Sequence, residues 1–339
     1  MNRQIYFLKR TGSINNMKLL NEDLPEPGKD EVTVEIKSIG LNFADIFSIL
    51  GLYKAAPKFN LIPGLEFSGL IIKKGECVKD FSIGDKVYGA TKFGGYVSHL
   101  NINQLYILKL PEDWTFEEGA STIVQSLTAY YALVVLGEVN KEKSVLIHSA
   151  AGGVGLNANR IAKKFSAFTI GTIGSKSKIN LLKSEGYDRI IVRDKNLKEK
   201  IKEALGNRPL DIVLDAVGSK VFKTSFNLLT HTGRIIVYGA GAYSTGNSAS
   251  NLLKLAYKYF TRPKVDPLSM IEQNRAVMAF NLIWIYDRVE FLRNMLDEIR
   301  KLNLPKPIIN HTFSFENLPI AVRTLKSGKT TGKVVVNVM

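Results

Sequence analysis

The 339-residue chain has one cysteine, Cys77, and four histidines. A single thiol excludes an internal disulfide framework and a cysteine-built zinc site. It fits a reducing compartment, and the expected location is cytoplasmic. Acidic residues are in short supply too: 31 Asp and Glu face 46 Lys and Arg, a formal charge of +15. Phosphate neutralisation needs such cations, yet here they are interleaved with acids, as in KNLKEKIKEAL, the pattern of a solvated helix face. None of the known nucleic-acid recognition modules can be picked out, so nucleic acid is not an expected partner. Long apolar runs are missing as well. The start MNRQIYFLKRTGS breaks off at Lys9 and Arg10, unlike a signal peptide. The uncharged stretch 119–137 carries Ser121, Thr122, Gln125, Ser126 and Thr128. Its apolar part, 127–136, is far shorter than the roughly 20 residues a membrane span requires, so a buried helix is expected.

At roughly 150 residues per domain the length suggests about two domains, each able to bury a core. The first hundred or so residues hold short β-branched runs broken by turn signals, among them EVTVEIKSIG, LIPGLEFSGLIIKKG and SIGDKVYGA. Near Trp114 the character changes, and strand candidates at 144–150, 168–173, 189–192, 211–217 and 233–240 then alternate with helical segments. Continuous apolar strands with helical crossovers imply a parallel, doubly wound α/β sheet covered on both faces. After a long helix near 288–302, PIINHTFSF and GKVVVNV restore the β-rich character. The expected organisation is therefore a β-rich domain of 1–122 and 307–339, with a nucleotide-binding domain, 123–306, inserted into it.

The sharpest signal is SVLIHSAAGGVGLNANRIAKK, in which a buried strand runs through a glycine turn into a helix. Ala150, Gly152 and Gly155 stand at A-x-G-x-x-G spacing, with alanine in place of the usual first glycine. Small residues there let the backbone of Ala151, Gly152, Gly153, Val154 and Gly155 approach a pyrophosphate, which the helix N-terminus attracts. Choice between the nicotinamide cofactors is made near the end of the second strand, where a carboxylate would bind a ribose 2'-hydroxyl. This chain instead reads GTIGSKSK, and Ser175, Lys176 and Lys178 offer hydroxyls and positive charge suited to a 2'-phosphate. NADPH is the expected cofactor. A lysine at a helix start is otherwise disfavoured by the helix dipole.

Taken in order, GLNFADIFSILGLY, PGLEFSG, FSIGDKVYG, QSLTAYYAL, HSAAGGVG, DIVLDAVG and GKVVVNV resemble the medium-chain dehydrogenase/reductase superfamily across essentially the whole chain. The likeness is to its zinc-independent quinone oxidoreductase-like members. NLLKLAYKYF followed by IEQNRAVMAFNL looks most like the branch containing the synaptic vesicle membrane protein, or vesicle amine transport protein homologue. The resemblance implies a GroES-like β-barrel domain with an inserted Rossmann domain, and a homodimer paired across GRIIVYGA, which reads as an apolar edge-like strand or, alternatively, as an interior strand of the monomer. It places Asn42, Asp45 and Tyr53 around nicotinamide and substrate, with Thr128 close by. It also adds Arg193, Val217, Gly239, Phe280 and Lys333 to the cofactor residues. Two departures stand out: Arg160 replaces a common glutamine, and Arg193 replaces a tyrosine that some quinone reductases set against the adenosine ribose-phosphate.

Zinc alcohol dehydrogenases of this superfamily use a cysteine and a histidine where this chain offers Asn42, Asp45, Leu65 and Glu66. His99, His148, His231 and His311 are far apart with no ligand spacing, so no metal is expected. Without a Lewis acid, reduction of a simple ketone is disfavoured. Hydride addition to a quinone or another α,β-unsaturated carbonyl asks less, because the acceptor delocalises the arriving charge. Tyr53 can act as a phenol donor, as its match to the tyrosine of enoyl-thioester reductases implies, or simply pack as an aromatic. Asn42 is assigned to the nicotinamide ribose or amide and Asp45 to bracing the loop. Two alternatives stay open: enoyl-thioester reduction, and an interaction protein that keeps NADPH as a ligand. The second is motivated by LLKLAYKYFTRPK, 252–264, whose four cations and several aromatics suit peripheral contact with an anionic membrane.

Overall fold

A computed structural model describes residues 1–243, 256–257 and 259–338. The chain divides into two compact units. One comprises Met1–Val124, Ile283–Arg293 and Lys306–Met339, the other Gln125–Leu282 and Asn294–Pro305. Eight strands come first: β1 (Asn2–Arg10), β2 (Lys18–Asp23), β3 (Glu31–Gly40), β4 (Phe59–Leu61), β5 (Glu66–Lys74), β6 (Lys86–Ala90), β7 (His99–Asn103) and β8 (Ile107–Lys109). Among the described residues six follow in the second unit: β9 (Ser144–His148), β10 (Phe168–Ile173), β11 (Arg189–Val192), β12 (Ile212–Asp215), β13 (Arg234–Val237) and β14 (Ala276–Ala279). Then β15 (Ile309–Ser314) and β16 (Lys333–Asn337) return to the first unit.

In the first unit a sheet of order β15-β16-β3-β5-β6-β8, with β7 also on β3, lies beside a smaller sheet β2-β1-β4. Alternation explains β3: Val32, Val34 and Ile36 point into the core with Phe67, Ile71, Tyr96 and Val336. Pairing of β16 with the end of β3, Val335 opposite Gly40 and Asn337 opposite Ser38, ties residues 333–337 to the turn that follows β3. Segment Ile283–Arg293 joins this unit through aromatic packing. The Tyr286 ring stacks on Tyr106 at 4.2 Å between centroids, and its hydroxyl donates to the Ala90 carbonyl.

The second unit is a parallel sheet of order β11-β10-β9-β12-β13-β14. Counted within the unit this is 3-2-1-4-5-6, the order of a doubly wound dinucleotide-binding sheet whose ligand crevice lies at the carboxyl ends of the strands. All five strands expected from the apolar runs are present. The sixth, β14, is AVMA, whose single β-branched residue, Val277, gives a weaker strand signal than the equally short RIIV and IVLD. Its presence corrects one expectation: GRIIVYGA is not an edge strand. Its β13 lies between β12 and β14, with Ile235 and Ile236 fully buried, and among the described residues β14 takes the edge. The stretch Phe116–Leu136 is long and apolar enough to cross a membrane, but 67% of its most apolar 18 residues are buried, consistent with a core helix. Of the 252–264 motif, residues 252–255 and 258 lie outside the described residues, while Tyr257, Tyr259 and Phe260 are exposed.

Candidate active site

Each strand of the parallel sheet is followed at its carboxyl end by at least one of the expected cofactor residues. After β9 comes the loop of Ala151 and Gly152, which opens the helix Gly153–Lys164. Ser149, before it, holds a left-handed backbone at φ 55°, a conformation that costs energy for a non-glycine residue and clusters at functional turns. Gly155 lies flat on Ala150: a Cβ there would meet the Ala150 Cα and carbonyl and the Ser149 carbonyl at 2.7 Å. A Cβ on Gly153 would run into the Gln125 side chain. On Gly152 it would meet only the Ser149 carbonyl, at 3.4 Å, so space is left beside the backbone there. Behind the loop, the buried Tyr187 hydroxyl donates to the Gly155 carbonyl at 2.8 Å and reaches Ala150 at 3.3 Å. Nothing in the local sequence marks Tyr187, which sits on the connection between the second and third strands of this sheet.

Cations collect after β10 and β11. Ser175 accepts the Ser177 N–H and caps a short turn, Lys176–Lys178, with Lys176 exposed and Lys178 half-buried. Arg193 follows β11 and donates through Nη1 to the Thr172 hydroxyl at 3.1 Å; its Nη2 lies 3.5 Å from a Cβ built on Gly174. Burial and the nearby Arg193 charge both lower the Lys178 ammonium pKa. Two cations held close together, one partly dehydrated, form a site that a dianion would stabilise. After β12, the Asp215 carboxylate accepts the Val217 and Gly218 N–H groups at 2.7 and 2.9 Å. Gly239 follows β13 at close range to Ala216, and Phe280 follows β14 with its ring edge-on to Tyr131 at 4.8 Å. Thr128 is buried on the helix Ile123–Tyr130. Arg160 has a structural use instead: it is buried and paired with Glu185 at 2.6 Å, and it donates to the Pro305 carbonyl.

The first unit contributes a buried polar cluster. Asn42 caps the helix Phe43–Ile49, and its backbone N–H donates to the Asp45 carboxyl at 2.7 Å. The Asn42 side-chain amide donates to Glu66 at 2.9 Å and to the Gly40 carbonyl at 3.3 Å, while its Oδ1 accepts from Lys333 Nζ at 2.9 Å. Lys333 is ion-paired with Glu66, whose other oxygen accepts the Val124 N–H. Both amide hydrogens of Asn42 are therefore engaged, and toward a ligand this side chain can only accept. Asp45 is 1% exposed and takes a further hydrogen bond from the Tyr96 hydroxyl. Burial pushes its carboxyl up to about 7. Tyr53 is half-buried, its ring edge-on to Phe93 at 6.4 Å. Sequence reading missed Glu66 as a partner of Asn42 and Lys333, since Lys333 lies 267 positions away from it.

Comparison with known proteins agrees with this architecture. A profile described as the alcohol dehydrogenase GroES-like domain matches residues 28–112, and one described as zinc-binding dehydrogenase matches 153–276. The human synaptic vesicle membrane protein VAT-1 homolog is 32% identical over 314 residues, 91% of this chain and 79% of its own length. Quinone oxidoreductase 1 of Escherichia coli is 35% identical over 245 residues, 71% of this chain and 74% of its own. Among solved structures, Escherichia coli quinone oxidoreductase complexed with NADPH superposes with a TM-score of 0.86 at 27% identity, covering 99% of this chain and 100% of that one. CurK enoyl reductase does so at 0.84 and 27%, covering 99% of each. By this sequence likeness and by a doubly wound sheet whose segments are inserted, in sequence, among those of a β-rich unit, the chain belongs to the medium-chain dehydrogenase/reductase superfamily, with the VAT-1 homologs and quinone oxidoreductases among its relatives.

Proposed function

We propose that the chain is an NADPH-dependent oxidoreductase that reduces a quinone or another α,β-unsaturated carbonyl without zinc. The observation that carries this reading is the convergence of the glycine loop, Ser175, Lys178 and Arg193 at the carboxyl ends of the parallel strands, with cations where an NADH enzyme would place a carboxylate. The space beside Gly152 fits a pyrophosphate, held by free N–H groups of the helix Gly153–Lys164. When bound, NADPH supplies the hydride. Residues of the chain bind and orient: Ser175, Lys176, Lys178 and Arg193 hold the 2'-phosphate, and Asn42 offers one acceptor lone pair to the carboxamide or a ribose hydroxyl. Lys333 and Glu66 fix the rotation of the Asn42 amide, because exchanging its oxygen and nitrogen would set a donor against the ammonium. Glu66 is already neutralised by Lys333, and Leu65 has no donor atom, so neither position favours a metal.

A conjugated acceptor spreads the arriving charge, so a phenol such as Tyr53 assists without being indispensable. An enoyl thioester gains more from a positioned acid, and this second reading is favoured by the half-buried Tyr53 and by the likeness to an enoyl reductase. Steady-state NADPH oxidation with quinones, enones and enoyl thioesters decides between them. Tyr53→Phe is expected to cost less than about tenfold in kcat/KM with quinones, and about a hundredfold with enoyl thioesters if those are turned over. Lys178→Ala is expected to weaken NADPH binding in a fluorescence titration and to leave NADH nearly unchanged. NADPH binding with no oxidation in any acceptor class would instead support an interaction protein that keeps the cofactor as a ligand.

A further inference from the structure

Beneath the cation pair runs a buried chain of polar side chains that the proposed chemistry does not use. Arg193 Nη1 donates to the Thr172 hydroxyl at 3.1 Å and also approaches the Thr172 carbonyl at 3.4 Å. The same hydroxyl lies 2.8 Å from His148 Nδ1, and His148 Nε2 lies 2.8 Å from the Ser225 hydroxyl. Thr172, His148 and Ser225 are all fully buried, and Thr172 and His148 are register partners on the adjacent strands β10 and β9. Four side chains from three strand ends and one helix are thus joined by bonds of ordinary length.

The direction of the hydrogens follows from charge. A guanidinium can only donate, so the Thr172 oxygen is already an acceptor and its own hydrogen is free to point at His148. The positive field of Arg193 disfavours an N–H aimed toward it and favours the lone pair of Nδ1 on that side. Burial together with Arg193 pushes the imidazole pKa down to about 3, so the ring is neutral and carries a single hydrogen. That hydrogen then sits on Nε2 and is donated to Ser225. Arg193 donates to Thr172, Thr172 to His148 and His148 to Ser225, each bond polarising the next. The effect is to fix the Arg193 head beside Gly174, at the position where the two cofactors differ.

We propose that Thr172 and His148 are positioning residues that aim Arg193 at the cofactor's 2'-phosphate and so set the preference for NADPH over NADH; this rests on the phosphate pocket assigned above. The test compares dissociation constants of NADPH, NADH and the fragment 2',5'-ADP for the intact protein, Arg193→Ala, Thr172→Val and Thr172→Ser, with 15N spectra of the histidine rings. Thr172→Val keeps the shape and removes the relay; it is expected to weaken NADPH and 2',5'-ADP about tenfold, with NADH within about twofold. Thr172→Ser restores binding, and the spectrum of His148 shows an Nε2–H imidazole. An unchanged cofactor ratio in Arg193→Ala would overturn the pocket itself. A changed ratio in Arg193→Ala with an unchanged one in Thr172→Val would overturn the relay and leave the pocket standing. Equal losses for NADPH and NADH in Thr172→Val, or a hydrogen found on Nδ1, would likewise refute it.

Discussion

At the scale of single residues, the clearest physical outlier of the first unit is Asp45. Its carboxyl is raised to about 7, chiefly by burial and also by Glu66, against the opposing pull of the Asn42 N–H, the Tyr96 hydroxyl and Lys333. An ordinary aspartate in an unfolded chain titrates near about 4. Between those two values the folded state holds a proton that the unfolded state has lost, so this group makes unfolding easier as pH rises. Its contribution is fully present below about pH 4 and gone above about pH 7. Urea melts of the intact protein and Asp45→Asn over that range should show the stability difference shifting steadily against the intact protein and then levelling; a constant difference would mean that Asp45 ionises normally. Site residues could be assigned from the sequence where chemistry and spacing coincide. The glycines could be assigned because they stand together in AAGGVG, and Ser175 and Lys178 because they stand together in GTIGSKSK. Tyr187, Glu66 and Thr172 did not, because each acts through a partner distant in sequence, and a buried tyrosine or threonine looks the same whether or not its hydroxyl has a task.

Among elements, the loop between β9 and its helix separates two uses of glycine that are identical in sequence. Gly155 is small so that the helix can lie on Ala150, and Gly152 is small so that the backbone stays open on its outer side. Gly155→Ala should therefore destabilise the fold by about 1–3 kcal/mol, because the atoms it meets are backbone and cannot turn aside. Gly152→Ala should leave stability within about 0.5 kcal/mol while weakening both NADPH and NADH. Thermal melts paired with cofactor titrations separate the two, and a stable Gly155→Ala protein would show that the helix can shift away. The A-x-G-x-x-G pattern identified the element and the five apolar runs identified its neighbours, since a buried parallel strand is written as a continuous hydrophobic stretch. The missing strand, β14, lies in the apolar run 276–280 but has only one β-branched residue, Val277, and its place follows from its pairing with β13. That single omission is what misplaced the edge of the sheet.

Over the whole molecule, the edge formed by β14 bears on assembly. Among the described residues it pairs only with β13, which leaves one line of backbone donors and acceptors for another partner. We expect a homodimer, with light scattering giving twice the monomer mass at micromolar concentration and Val277→Pro in β14 returning it to monomer; a monomeric intact protein would defeat the expectation. The division into two units was legible because the β-rich pattern stops and later resumes; the aromatic anchoring of Ile283–Arg293 was not, because stacking of Tyr286 on Tyr106 leaves no periodic trace. The pairing of Lys333 with Glu66 across 267 positions has a further consequence during synthesis. The second unit has all its residues once Pro305 has emerged from the ribosome, whereas the first then still lacks β15, β16 and the ammonium that neutralises Glu66. Until then Ser38–Gly40 is an open edge beside an uncompensated carboxylate, so a nascent chain stalled before residue 333 presents a folded second unit tethered to an unfinished first one, a form suited to chaperone capture.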